Sequence, residues 1–223
     1  MSVYQTEEEQ VEAIKKWWKE NWLSLVGGVL IGVGILFGGK YWMDTRNFHA
    51  EAASVEYEAM MQSMAQNKPA DAEARANSLL STYTDTPYAG FAALAMAKLK
   101  ADADDLVAAK SHLRWAIENS GQEEVKHEAL IRLARVYLAE KNYQDALAQL
   151  SQVKSDSYKV IIQELEGDIY VAQGDTEKAR NAYSMALATI DLSEQNASSR
   201  LKNFLQMKLD DLGGNPVIQG EPG

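Results

Sequence analysis

The chain has 223 residues and no cysteine. That absence excludes a disulfide framework, thiolate metal sites and a cysteine nucleophile, while leaving the compartment open, because reducing and oxidising spaces both tolerate Cys-free chains. Proline is nearly as scarce, with four in all, and between residues 47 and 212 only Pro69 and Pro87 interrupt the chain. Positive charge is in deficit: 22 Lys and Arg stand against 32 Asp and Glu, a net charge of −10. Such a chain repels phosphate backbones, so its macromolecular partners are expected to be proteins and not nucleic acids. The three histidines, His49, His112 and His127, lack neighbours at metal-binding spacing. There is no G-x-S-x-G elbow, no P-loop and no G-x-G-x-x-G after a strand. No catalytic residue, metal site or cofactor is therefore expected. With 46% apolar and 24% charged residues, the composition is that of an ordered protein, and the lack of β alternation makes it all-α.

The mean hydropathy of −0.33 averages two unlike parts. Residues 23 to 39 read LSLVGGVLIGVGILFGG, uncharged and with one hydroxyl. With Trp22 before and Tyr41-Trp42 after, the stretch reaches about 20 residues, enough at roughly 1.5 Å each to cross a ~30 Å hydrocarbon layer. Four of the five tryptophans (Trp17, Trp18, Trp22, Trp42) flank it, as expected of rings that sit at headgroup level. A buried soluble helix would not carry six glycines in seventeen positions. A cleaved signal peptide would not carry Glu7, Glu8, Glu9 and Glu12 in its leading region, and no small-x-small site directly follows the run. An uncleaved span over 22–42 is expected. Ser24, Gly28 and Gly32 lie four apart, and Gly34 and Gly38 repeat the spacing, so these small residues are candidates for close helix packing. Lys15, Lys16 and Lys19 before the span outnumber Lys40 and Arg46 after it, which favours a cytoplasmic N-terminus and an exported C-terminal domain. Val11, Ile14, Lys15 and Trp18 share a helical spacing, and the tail 1–21 can lie on the membrane surface.

Beyond the span, residues 43–68 read as a membrane-proximal helix, 69–212 as a domain of helical hairpins and 213–223 as a flexible tail. The breakers Asn67-Lys68-Pro69, Asp85-Thr86-Pro87, Ser120-Gly121 and Gly174-Asp175 divide the hairpins. Self-similarity is the stronger signal. EALIRLARVYLAEKNYQDALAQL overlays VIIQELEGDIYVAQGDTEKARNAYSMAL at a shift of 33 residues, placing Ala134 on Gly167, Tyr137 on Tyr170, Ala146 on Ala179 and Leu150 on Tyr183. The same shift carries Ala76 to Ala109, and 37 residues carry Ala109 to Ala146. Small residues where two helices cross and large ones between hairpins are the packing logic of a stacked solenoid. The pattern resembles the tetratricopeptide repeat, with Gly167, Tyr170, Gly174, Ala179, Tyr183 and Ala186 its best match and Lys100 standing where an aromatic is usual. Leu201, Phe204, Leu205, Leu209 and Leu212 form the apolar face of an end-capping helix. The run Asp102 to Asp105 reads as a helix cap, and Asn196-Ala197-Ser198 is a glycosylation triplet by pattern alone. On the groove side of each first helix, repeat geometry selects Phe91, Leu94, Lys98, Ile131, Arg135, Leu138, Glu164, Asp168 and Val171.

Three motifs go further: QVEAIKKWWKENW before the span, KYW closing it, and LQMKLDDL in the last helix. With them the layout closely resembles the YfgM family of ancillary subunits of the SecYEG translocon over nearly the whole chain. The resemblance implies a single-pass protein of the bacterial inner membrane with its repeat domain in the periplasm. It implies partners as well: the SecYEG translocon, the membrane-anchored periplasmic chaperone PpiD, and secretory clients. A link to an envelope stress response is implied too. The expected function is a non-enzymatic accessory of protein export. Two alternatives stand beside it: a membrane-tethered negative regulator acting through the cytoplasmic segment, and a homo-oligomeric membrane scaffold built on the glycine face.

Overall fold

The computed structural model describes residues 7–193 and 199–213. The triplet Asn196-Ala197-Ser198 and the tail from residue 214 lie outside the described residues. Within them every regular element is helical: α1 (Glu7–Ala65), α2 (Pro69–Thr82), α3 (Pro87–Asp102), α4 (Leu106–Asn119) and α5 (Glu123–Ala139). Then come α6 (Tyr143–Leu150), a 3-10 turn at Asp156–Tyr158, α7 (Lys159–Gln173), α8 (Thr176–Ser193) and α9 (Ser199–Asp211). The chain divides into two compact units, Met1–Ala52 and Ala53–Gly223.

In the first unit α1 is the one helix among the described residues long and apolar enough to cross a membrane. Its apolar side chains from Leu23 to Phe37 stand exposed, as do Trp17, Trp18, Trp22 and Trp42. Arg46 places its guanidinium 4.9 Å from the Trp42 ring, pairing a cation with an aromatic at the end of the apolar run.

The second unit is built on one turn used four times. Asn67, Asp104, Lys141 and Gly174 adopt left-handed φ values of 55°, 62°, 60° and 79°. After each, the next residue donates its N–H five positions back: Lys68 to Ser63 at 2.9 Å, Asp105 to Lys100 at 2.8 Å, Asn142 to Tyr137 at 2.8 Å and Asp175 to Tyr170 at 2.9 Å. This left-handed closure satisfies the last carbonyls of one helix and aims the chain into the next. Asn and Asp tolerate it through local hydrogen bonding and Gly through its missing Cβ, whereas Lys141 holds it at a cost of roughly 1–2 kcal/mol. The following helices are then capped: Asp105 accepts from the Ala108 N–H at 3.0 Å and Asp175 from the Lys178 N–H at 3.1 Å, and α2 opens with Pro69 at its first position. Of the acidic run, Asp105 is the cap of α4, while Asp102 ends α3 and Asp104 makes the turn.

The four turns fix the repeat register and correct one step of it. Five residues after each turn stand Ala72, Ala109, Ala146 and Ala179, all fully buried. The partner of Ala109 is therefore Ala72 and not Ala76. Ala76 stands with Leu113, Leu150 and Tyr183, nine residues after the turn, and Met60 holds the place of Ala97, Ala134 and Gly167. The first hairpin exchanges sizes, a large residue on its first helix and a small one on its second, within one buried cluster. Total volume is kept, which is what close packing requires. Lys100, at the usual aromatic place, bridges to Glu73 at 2.8 Å.

The remaining core runs from α3 to α7 through Leu113, Leu130, Ile131, Leu133, Leu150 and Ile169. At the end of the stack α9 lays Leu201, Leu205 and Leu209, with Leu212 just beyond it, against Ala179, Tyr183, Ala186 and Ile190. Phe204 departs from the expected apolar face: it is 41% exposed and its ring lies 4.6 Å from Lys208 Nζ.

Candidate functional site

The first helices of successive hairpins, the end of α1 with α3, α5 and α7, run side by side along one side of the second unit, α3 touching α5 and α5 touching α7. Counting back from each turn sorts their residues into rows. Six positions before the turn stand Met61, Lys98, Arg135 and Asp168; the first three are exposed. Ten positions before stand Tyr57, Leu94, Ile131 and Glu164, and this row points into the stack. Leu94 is 8% and Ile131 1% exposed, so both belong to the core and offer nothing to a partner. Phe91, on the rim of the groove, has its ring 6.2 Å from that of Tyr57, which lies 5.8 Å from Tyr88. Leu138 is half-buried against the core, and Val171 is exposed.

Glu164 and Asp168 are already engaged. Lys208 of α9 inserts its ammonium between them, 2.9 Å from Glu164 Oε1 and 2.7 and 2.9 Å from the two Asp168 oxygens. The Tyr183 hydroxyl donates to Asp168 Oδ1 at 2.6 Å. Burial first, then this hydrogen bond and the two neighbouring carboxylates, push the Tyr183 phenol well above its ordinary value, since an anion there would be both desolvated and repelled. The pair therefore fastens the end helix through Lys208.

Lys98 and Arg135 are brought together. A cleft of about 310 Å³ opens between α3 and α5, floored by Ala97, Ala101, Leu113 and Val136 and rimmed by Lys98, Glu128, Arg132 and Arg135. Arg132 is held in place: its Nε donates to Glu128 Oε1 at 2.6 Å and its Nη1 to the Leu94 carbonyl at 3.3 Å. Lys98 makes an exposed i,i+4 bridge to Asp102 at 2.7 Å. Arg135 makes no ion pair among the described residues. Tyr57, Met61, Arg132 and Lys208 are absent from the set that repeat geometry selects. Counting from the Asn67 turn finds the first two; Arg132 lies one position off the groove row, and nothing in the sequence pairs Lys208 with α7.

In the first unit, a Cβ placed on Gly28, Gly32, Gly34 or Gly38 would meet no described atom within 4 Å beyond the adjoining backbone of α1 itself. At about 100° per residue, Ser24, Gly28 and Gly32 form one face, and Gly34 and Gly38 another whose centre lies about 100° around the helix from the first. The two sets are offset and adjoin on the Ser24–Gly38 side, and the glycines of both are open.

A family model described as a tetratricopeptide repeat-like domain matches residues 15–214. Among solved structures, that of pilF from Pseudomonas aeruginosa superimposes with a TM-score of 0.56 at 14% identity, covering 74% of this chain and 68% of the other, a likeness of fold alone. Curated relatives carry one description, ancillary SecYEG translocon subunit. That of Haemophilus influenzae is 32% identical over 206 residues, 92% of this chain and 97% of its own. That of Escherichia coli is 29% identical over 212 residues, 95% and 99% of the two chains, and that of Neisseria gonorrhoeae 30% over 216 residues, 95% and 100%. Matched to these relatives over more than nine-tenths of its length, and carrying the repeat-like domain through the same residues, the chain belongs to the family of ancillary SecYEG translocon subunits.

Proposed function

We propose that this chain is a non-enzymatic accessory subunit of the SecYEG translocon. The apolar part of α1 anchors it in the inner membrane, its N-terminus cytoplasmic and its repeat unit periplasmic. There the helical stack offers the α3–α5 side to a membrane-anchored chaperone such as PpiD and to emerging secretory chains. The observation that carries the reading is the full-length correspondence with ancillary subunits, span included. An anchor followed directly by a repeat scaffold is also what holding a client beside a membrane channel requires. The groove's open residues are Phe91, Lys98, Arg135 and Val171, with Asp168 engaged by Lys208 of α9.

The test is purification of the tagged full-length protein in mild detergent, with mass spectrometry of what accompanies it and protease accessibility of the repeat unit in spheroplasts. Recovery of translocon subunits and a periplasmic chaperone with an externally cleavable domain is expected. A protected domain, or recovery of cytoplasmic signalling proteins alone, overturns the topology and the export role together.

A further inference from the structure

We propose that the α3–α5 cleft is a binding site for an extended peptide segment carrying an acidic side chain, with Arg135 as the group that recognises it. The inference rests on the reading of this side of the stack as the client surface, and it names the chemistry that surface selects.

A cavity of about 310 Å³ lies at the lower end of ligand sites, roughly 300–1,000 Å³, and suits one or two side chains better than a whole small molecule. Its floor of Ala97, Leu113 and Val136 is apolar and its rim cationic. An apolar side chain would fill the floor while a neighbouring carboxylate reaches the rim. Arg135 is exposed with no ion pair among the described residues, so a carboxylate gains a charge-assisted hydrogen bond there without displacing an existing one. Lys98 can also turn to it, because its bridge to Asp102 is solvent-exposed on both sides, 66% and 61%, and such pairs hold weakly. Glu128 does not cancel this field, since its carboxylate is bound to Arg132 at 2.6 Å.

The surrounding chain narrows the ligand. A protein of net charge −10 repels a polyanion as a whole, so a nucleic acid or an anionic bilayer is disfavoured where a single carboxylate on a mostly neutral segment is not. The partly exposed Phe91, with Tyr57 and Tyr88 behind it, gives a second foothold on α3. Phe91 and Lys98 are seven residues apart on one helix, two turns or roughly 10 Å. An extended peptide rises about 3.3 Å per residue, so an apolar residue three positions from an acidic one meets both footholds.

The probe is an N-terminally fluorescein-labelled, C-terminally amidated peptide, Ser-Gly-Phe-Ser-Gly-Glu-Leu-Gly-Ser, titrated with the full-length protein in detergent and read by fluorescence anisotropy. Versions with Gln or Lys in place of Glu are titrated beside it. The Glu peptide is expected to bind roughly tenfold more tightly than the Gln peptide, the worth of one charge-assisted hydrogen bond. Arg135→Glu should abolish that preference and favour the Lys peptide, with an unchanged circular dichroism spectrum and melting midpoint showing that the exposed site was altered without unfolding. Equal binding of Glu and Gln peptides, an undiminished preference in Arg135→Glu, or no binding of any peptide up to roughly 1 mM overturns the proposal. Recovery of translocon subunits from the same wild-type preparation separates the two readings. Where they are recovered and the peptides fail, the acidic-peptide site alone is lost; where neither is seen, the export role fails with it.

Discussion

Gly167 lies against the face of Tyr183: a Cβ on residue 167 would come within 2.3 Å of Tyr183 Cε1 and 2.5 Å of Cδ1. The aromatic ring thus fills the space that a side chain on α7 would take, and the crossing of α7 and α8 depends on its absence. Gly167→Ala is expected to destabilise the repeat unit by about 1–3 kcal/mol, the usual cost of overpacking a close-packed site. Adding Tyr183→Leu should restore part of that loss by making room, a non-additivity that double-mutant denaturation with urea, followed by circular dichroism, would read. Strict additivity would mean that the ring is not what excludes the methyl.

Lys208 is the second contact on which the end of the stack depends. Its side chain is 19% exposed and those of Glu164 and Asp168 are 18% and 31%, so Lys208→Met leaves two half-buried carboxylates facing each other without a cation. A loss of about 2 kcal/mol is expected, less than for a fully buried pair because solvent still reaches the group. Removing the carboxylates too, with Glu164→Gln and Asp168→Asn, should return a good part of it. Limited proteolysis near α9 is the direct check: faster cleavage in the single variant, and slower again in the triple.

These contacts also show what a sequence holds and withholds. Helix boundaries are legible because the chain writes them locally, in Pro69, Pro87, the Asp105 cap and the left-handed Gly174. The last two hairpins are legible because Gly167 with Tyr183, and Ala134 with Leu150, repeat a small-and-large pattern at one spacing. The first hairpin hides its register by exchanging those sizes between Met60 and Ala76, so that two alanines four residues apart, Ala72 and Ala76, compete for one place. The groove was half legible. Period alone gives Lys98 and Arg135 their exposed row, but Leu94 and Ile131 lie one turn inward, where burial depends on the neighbouring hairpin. The partner of Asp168 stands 40 residues away on α9, and no local pattern couples a lysine to a carboxylate at that distance.

The Tyr183 phenol makes a prediction in pH. Its ordinary value is about 10, and burial with the Asp168 hydrogen bond raises it in the folded protein. Above pH 10 the unfolded chain releases this proton while the folded chain keeps it, so the unfolded state binds fewer protons and stability falls as pH rises. Below pH 10 both states hold the proton and the contribution is constant. One such group lowers stability by up to about 1.4 kcal/mol per pH unit. Tyr183→Phe should lose about 1 kcal/mol at neutral pH with its hydrogen bond, yet show a shallower decline between pH 10 and 11. Parallel slopes of urea midpoint against pH in the two proteins would show that residue 183 titrates normally.

The two glycine faces of the apolar part of α1 make the last prediction, and the offset between them gives it discriminating power. The Gly28–Gly32 pair and the Gly34–Gly38 pair are centred about 120° apart around the helix, and beyond the adjoining backbone of α1 itself no described atom comes within 4 Å of a Cβ at any of them. Leucine at these positions therefore adds no internal clash, and helical content should be unchanged or slightly higher, as glycine is a poor helix former. A neighbouring helix whose backbone approaches closely would be pushed away, because small residues are what permit that approach in a bilayer. If the span packs against the translocon on one face, Gly28→Leu with Gly32→Leu and Gly34→Leu with Gly38→Leu should differ, one pair losing translocon subunits in detergent purification and the other retaining them. Crosslinking between copies of the chain reads the competing outcome: loss of a self-crosslink with undiminished translocon recovery assigns that face to self-association. Equal recovery and equal crosslinking in both variants would leave the glycines as ordinary members of a lipid-facing helix, with the translocon contact carried elsewhere.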